Sequence, residues 1–144
     1  MMRQASTSDD DAARPAGDIV RDFYDAFETG QASQALGLLS RDVVWVEAEG
    51  SPYGGESALK GRRAVWEGLL APLAADWDGL EMLRDDLVEA GSAILVIGRH
   101  RGTHRGSGRR LDAQVAHLWE VQAGRIVRFR GFANTLAIAQ ARAR

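Results

Sequence analysis

The chain has 144 residues, 45% of them hydrophobic and 26% charged, with 18 basic and 20 acidic residues and a formal net charge of -2. That length suits one domain with a core large enough to enclose a ligand cavity, and the charge balance lacks the basic excess of a general nucleic-acid or membrane-surface binder. The absence of cysteine excludes disulfides, thiolate catalysis and Cys-ligated zinc, and no apolar run is long enough for a membrane span or a secretory signal, so a cytoplasmic protein is expected.

Residues 1–16 are small, polar and acid-rich, and read as a disordered tail. From Asp18 the spacing changes: Ile19, Val20, Phe23, Tyr24 and Phe27 recur at three and four, predicting an amphipathic helix with Asp18 as N-cap and Gly30 as its stop. A second short helix, capped by Ser33, is expected to end near Ser40, and a strand to follow from Asp42 to about Ala48. EGSPYGGESALKG is a loop by its glycines and proline, and RRAVWEGLLAPLAADW a third helix that Pro72 ends or kinks. The remainder predicts strands near 79–89, 92–101, 109–121 and 125–133, joined through the tight links EAGS and QAGR, with a tail or short helix over 136–144. That order is α+β, helices gathered on one face of a curved, mainly antiparallel sheet, with the domain spanning 17–135.

The segments VRDFYDAF, DVVWVEAEGSPYGG leading to KGRRAVW, and ILVIGRHRGTHRGSGRRLDAQVAHLWEVQAGRIVRFRGFANT together resemble a SnoaL-like member of the NTF2-like superfamily. The resemblance covers residues 19–135 and implies a cone-shaped fold shared by ketosteroid isomerases, polyketide cyclases and limonene-type epoxide hydrolases. Such a fold hosts enzymes and binding modules alike, so function rests on the site.

Glu47 continues the alternation of Val43 and Trp45, and the resemblance places it where ketosteroid isomerases keep a proton-shuttling aspartate. A carboxylate at the mouth of an apolar pocket has its pKa raised by desolvation, which suits an acid or base near neutral pH; the competing role is a strand-end cap or ion-pair partner. Other isomerase parts are missing. The resemblance puts the oxyanion-stabilising tyrosine position at Phe23, with Tyr24 about 100° around the helix, and the partner acid at Ala116. Gly131 and Asn134 fall where cyclases and epoxide hydrolases carry an aspartate, and no carboxylate follows Glu120.

Alternation places Ile94, Val96, Gly98 and His100 on one face, and the isomerase comparison makes it the cavity side, so His100 is a candidate partner for Glu47 or a partly solvated strand-end residue. Val115, His117 and Trp119 look core-directed by alternation alone. The resemblance instead turns Gln114, Ala116 and Leu118 to the cavity, which leaves Val115, His117 and Trp119 as the convex face of a homodimer. RHRGTHRGSGRR, residues 99–110, carries five arginines and two histidines and reads as a solvated hairpin tip or an anion site, without a metal.

The expectation is a pocket lined by Phe23, Phe27, Trp45, Tyr53, Trp66 and Phe129, holding a small, largely apolar organic molecule without cofactor or metal. Glu47 and His100 are the candidate catalytic residues, with Gln114 orienting the ligand in an isomerisation, cyclisation or hydration. The alternative is a non-catalytic ligand carrier or a dimeric protein-interaction module.

Overall fold

The computed structural model describes residues 14–55 and 57–143, so most of the expected disordered tail lies outside the described residues. Helix α1 (Ala16–Glu28) starts two residues before the anticipated cap. Pro15 holds φ at -56° and its carbonyl accepts from Asp18 and Ile19, while Asp18 sits in the first turn, paired with Arg21 at 3.0 Å. Its stop is as anticipated: Gly30 takes φ +76° just past the last turn. Helix α2 (Ala32–Gly37) follows without a side-chain cap, Gln31 rather than Ser33 preceding it.

Strand β1 (Leu39–Val46) and the short β2 (Leu59–Lys60) flank the glycine loop. The third helical stretch comprises α3 (Arg62–Val65), a π-turn (Trp66–Leu70) and α4 (Ala71–Asp76), so Pro72 falls in the first turn of α4 rather than ending the helix. Strands β3 (Trp77–Ala90), β4 (Ala93–His104), β5 (Arg110–Gln122) and β6 (Arg125–Ala133) form the meander, and α5 (Thr135–Arg142) closes the chain.

All six strands make one sheet in the order β2-β1-β6-β5-β4-β3, antiparallel throughout except for the parallel pair β1 and β6. A register shift between Arg84 and Asp86 breaks the β3–β4 ladder opposite Gly98. A Cβ at Gly98 would lie 1.7 Å from the Leu83 carbonyl oxygen, so only glycine lets the strands close here. Such a bulge bends the strand pair and helps curve the sheet around its contents.

The core forms between α1, the third helical stretch and the concave sheet face, from Ile19, Val20, Val43, Val65, Ile94, Val96 and Ile126, all essentially inaccessible. One row of side chains crosses that face: Trp45 on β1 lies beside Phe129 on β6, Phe129 beside Trp119 on β5, and Trp119 beside Ile94 on β4. The expected dimer face is therefore corrected. Val115, His117 and Trp119 are buried under the helices, whereas Gln114 is exposed and Ala116 and Leu118 are half-buried on the outer side. A one-residue slip in the assumed register exchanges the two faces of a strand, and the apolar members of this alternation go inward because burial stabilises them.

Candidate functional site

Two chambers lie between the helices and the sheet, and both are bordered by Glu47, Leu73, Leu80, His100 and His117. The first has a cavity volume of about 70 Å³ and is walled mainly by Phe23, Tyr24, Phe27, Trp45, Leu69, Leu70, Trp119 and Phe129. The second, about 40 Å³, is bordered by Tyr53, Trp77, Leu111, Gly131 and Ile138. Both are smaller than the roughly 300 Å³ at which drug-sized sites begin, which favours a compact ligand over a steroid-sized one.

Glu47 lies immediately beyond β1 and remains on the inward alternation of Val43 and Trp45. Trp45 Nε1 donates to Glu47 Oε2 at 2.7 Å, and the Trp45 ring is itself fixed by stacking on Phe129 at 4.0 Å. Burial pushes the Glu47 carboxyl above its ordinary range, and the single bond from Trp45 offsets that only in part. On its other side, Gly54 takes φ +80° and approaches so closely that a Cβ there would stand 2.8 Å from Glu47 Cγ. The Gly54 backbone thus crowds the Glu47 side chain, and among the described residues its hydrogen-bond partner is Trp45.

His100 stands on β4 opposite Ala113 and Met82. Desolvation lowers its pKa to about 4, so the imidazole is neutral at pH 7. Its ring centroid is 5.2 Å from that of His117. His117 is 8% exposed, and burial, reinforced by the neighbouring His100, holds its pKa well below the ordinary histidine value.

Tyr24, one residue beyond the position singled out at Phe23, also faces the first chamber. Its hydroxyl lies 2.7 Å from His117 Nδ1 and accepts from Trp119 Nε1 at 3.0 Å. Desolvation raises the phenol well above its usual pKa, so it keeps its proton. Phe23 lies beside it on the same chamber, packed against Trp45 and Trp119. Two adjacent helix residues both face inward because the sheet curves around α1.

Of the expected residues, Glu47, His100, Phe23, Phe27, Trp45 and Phe129 meet at the first chamber. Tyr53 lies on the second, its hydroxyl donating to Asp76 at 2.8 Å and accepting from Trp77 Nε1 at 2.8 Å; burial and the Asp76 bond raise its pKa to about 12. Two expectations fail. Trp66 packs half-buried against the core outside both chambers, because the π-turn carries Leu69 and Leu70 inward instead. Gln114 is on the outer face, where it cannot orient a ligand in either chamber.

Asn134 also lies outside the cavity. It is exposed, and its side chain caps α5 by accepting from Ala137 N at 3.2 Å. Gly131 does face the second chamber, beside His117 in the β5–β6 register. In the arginine-rich hairpin, Asp112 pairs with Arg99 and with Arg101 at 3.4 Å, and Arg105 with Asp78 at 2.8 Å. These pairs engage three of the five arginines of the segment, Arg99, Arg101 and Arg105. Among the described residues, no group of three or more histidines and carboxylates is placed to hold a metal, and no helix is long and apolar enough to cross a membrane.

Tyr24, His117 and Trp119 were missed as site residues by sequence reasoning, although the period-two stripe Val115, His117, Trp119 was the signal that held the two on β5.

Residues 20–129 match the SnoaL-like domain family. Among solved structures, an NTF2-like protein from Burkholderia thailandensis E264 superposes with a TM-score of 0.82 at 31% identity, covering 91% of this chain and 99% of that one. An NTF2-like protein of unknown function from Burkholderia pseudomallei K96243 gives a TM-score of 0.78 at 27% identity, over 88% and 95%. TerC, co-crystallized with polyporic acid, shares the fold at 22% identity with a TM-score of 0.78, over 89% and 98%. No match was found among the curated proteins. With the family's sequence pattern, the helix-covered curved sheet and the cavity between them in agreement, the chain belongs to the SnoaL-like family of NTF2-like proteins.

Proposed function

We propose that the cavity binds a compact, largely apolar organic molecule and moves a proton on it, with Glu47 as the proton carrier. One observation carries this reading: a carboxylate with a raised pKa, fixed by Trp45 and crowded by Gly54, borders both chambers of an aromatic cavity together with a neutral His100. The fold uses an acceptor there for Trp45 Nε1, which a neutral amide could equally supply, while burial of an ionisable group costs stability.

In the proposed step, the Glu47 carboxylate takes a proton from a carbon next to a carbonyl, and the C–H electron pair moves into the enolate. Glu47, now a neutral acid, returns the proton to the same or a neighbouring carbon, which accounts for isomerisation; in a ring closure the enolate carbon instead bonds to a second carbonyl carbon of the ligand, whose C=O π pair moves onto oxygen and takes the proton from Glu47. His100, uncharged at pH 7, polarises the ligand as a hydrogen-bond donor.

The test uses 2-indanone, a compact ketone with acidic C–H groups, in deuterated buffer. The protein is expected to accelerate deuterium uptake, and Glu47→Gln to slow it by at least about a hundredfold, the usual contribution of a positioned acid or base. An equal rate in Glu47→Gln refutes the assignment, and retention of a ligand in native mass spectrometry without any exchange activity favours a carrier.

We further propose that two chains associate through the outer sheet face. Ile97, Ala116 and Phe132 form one row there across β4, β5 and β6, and Phe132 is 48% exposed.

A further inference from the structure

Trp119, Tyr24 and His117 form a chain of hydrogen bonds whose direction is fixed by chemistry. An indole N–H only donates, so Tyr24 Oη accepts from Trp119 Nε1 at 3.0 Å. The one phenolic proton is then free for the remaining neighbour, His117 Nδ1 at 2.7 Å. Were Nδ1 protonated instead, the Tyr24 oxygen would accept twice and its own proton would have no partner among the described residues. The chain therefore runs from Trp119 through Tyr24 into an unprotonated Nδ1, and the neutral ring must carry its proton on Nε2.

That N–H has no acceptor among the described residues, although His117 is 8% exposed and borders both chambers. Among the described residues the fully buried unpartnered side-chain atoms are Arg84 Nη1 and Arg142 Nε, so the His117 donor is not sealed in protein but opens on the cavity, where a ligand or water can complete it. Next to it on β6 stands Gly131, whose missing side chain leaves the second chamber open beside His117. Phe129 packs on the other side of the imidazole at 4.9 Å between centroids and limits how the ring can turn.

We propose that His117 Nε2–H is the binding site for an acceptor oxygen of the ligand, a carbonyl or ether oxygen seated where the two chambers meet, with Tyr24 and Trp119 as positioning residues that hold His117 in this tautomer. This names the ligand class of the same cavity, neutral acceptor-bearing molecules over plain hydrocarbons, but it stands on hydrogen-bond direction and does not require Glu47 to move a proton. His100, 5.2 Å from His117, remains available on the same wall.

Long-range proton–nitrogen NMR of the labelled full chain tests the assignment directly. It is expected to show His117 protonated at Nε2 and bare at Nδ1; protonation at Nδ1 overturns the proposal. In parallel, 2-indanone and indane, which share a skeleton but differ in the carbonyl, are titrated into the protein. The ketone is expected to bind about tenfold more tightly, the scale of one well-made hydrogen bond, and to shift the Nε2 proton. Equal affinity, or no shift at His117, contradicts the proposal. In Tyr24→Phe, the expected result is a mixed His117 tautomer and a reduced ketone preference, and a spectrum and preference identical to wild type overturn the positioning role. Ketone preference with an Nε2 proton but no isotope exchange refutes only the Glu47 reading, whereas exchange with an Nδ1 proton refutes only this one.

Discussion

At the residue scale, Glu47 is held by specific contacts, a bond from Trp45 on one side and the close backbone of Gly54 on the other. Its raised pKa has a stability consequence with a definite sign. The folded state binds the proton more tightly than the unfolded state, so stability is lost as pH rises above the ordinary carboxylate range. Glu47→Gln is therefore expected to melt higher than wild type at pH 8 and to lose that advantage near pH 4, read by thermal unfolding at both pH values. A penalty at pH 8 would mean the ionised carboxylate is stabilising. Gly54→Ala should destabilise by about 1–2 kcal/mol from its left-handed backbone alone, measured by denaturant unfolding. It should also displace the Glu47 side chain. The alternation in VVWVE made Glu47 legible in the sequence, whereas the grip of Gly54 was not, because it depends on a loop returning in space.

At the scale of elements, β5 shows where inference from sequence worked and where it failed. The stripe Val115, His117, Trp119 is inward, as its own apolar alternation indicates, while the position-by-position transfer from isomerases reversed it. Strand faces alternate every residue, so a transfer uncertain by one position carries no information about facing. The β4 face ending in His100 and the order of helices and strands were legible, because several residues agreed on each. The loop between β1 and β2 was legible only as a loop. Its anchor is Tyr53, which bridges Asp76 on α4 and Trp77 on β3. Tyr53→Phe leaves the buried Trp77 indole without its acceptor and is expected to cost about 1–3 kcal/mol in denaturant unfolding. No change would assign that loop's order to packing alone.

At the scale of the molecule, the buried His117 and the half-buried His100 make the fold sensitive to acid. With His100 lowered to about 4 from an ordinary 6.5, the unfolded chain takes up the proton first, so stability is present above about pH 6.5 and is lost as pH falls toward 4. His117 acts in the same direction. The melting temperature of His100→Phe relative to wild type is expected to rise steadily across that window, and a constant difference would place the acid sensitivity elsewhere. Association belongs to this scale too. If the proposed pairing holds, wild type is expected to scatter as a dimer and Phe132→Glu as a monomer, because a carboxylate would be desolvated within the apolar row; a monomeric wild type, or an unchanged mass in the variant, would contradict that interface.

The most direct measurement of the central claim is deuterium uptake by 2-indanone, followed by NMR with wild-type protein and with Glu47→Gln of demonstrated native fold. Exchange above the buffer rate that falls by about a hundredfold or more in Glu47→Gln is the predicted result. Exchange that proceeds equally in both proteins would contradict Glu47 as the proton carrier.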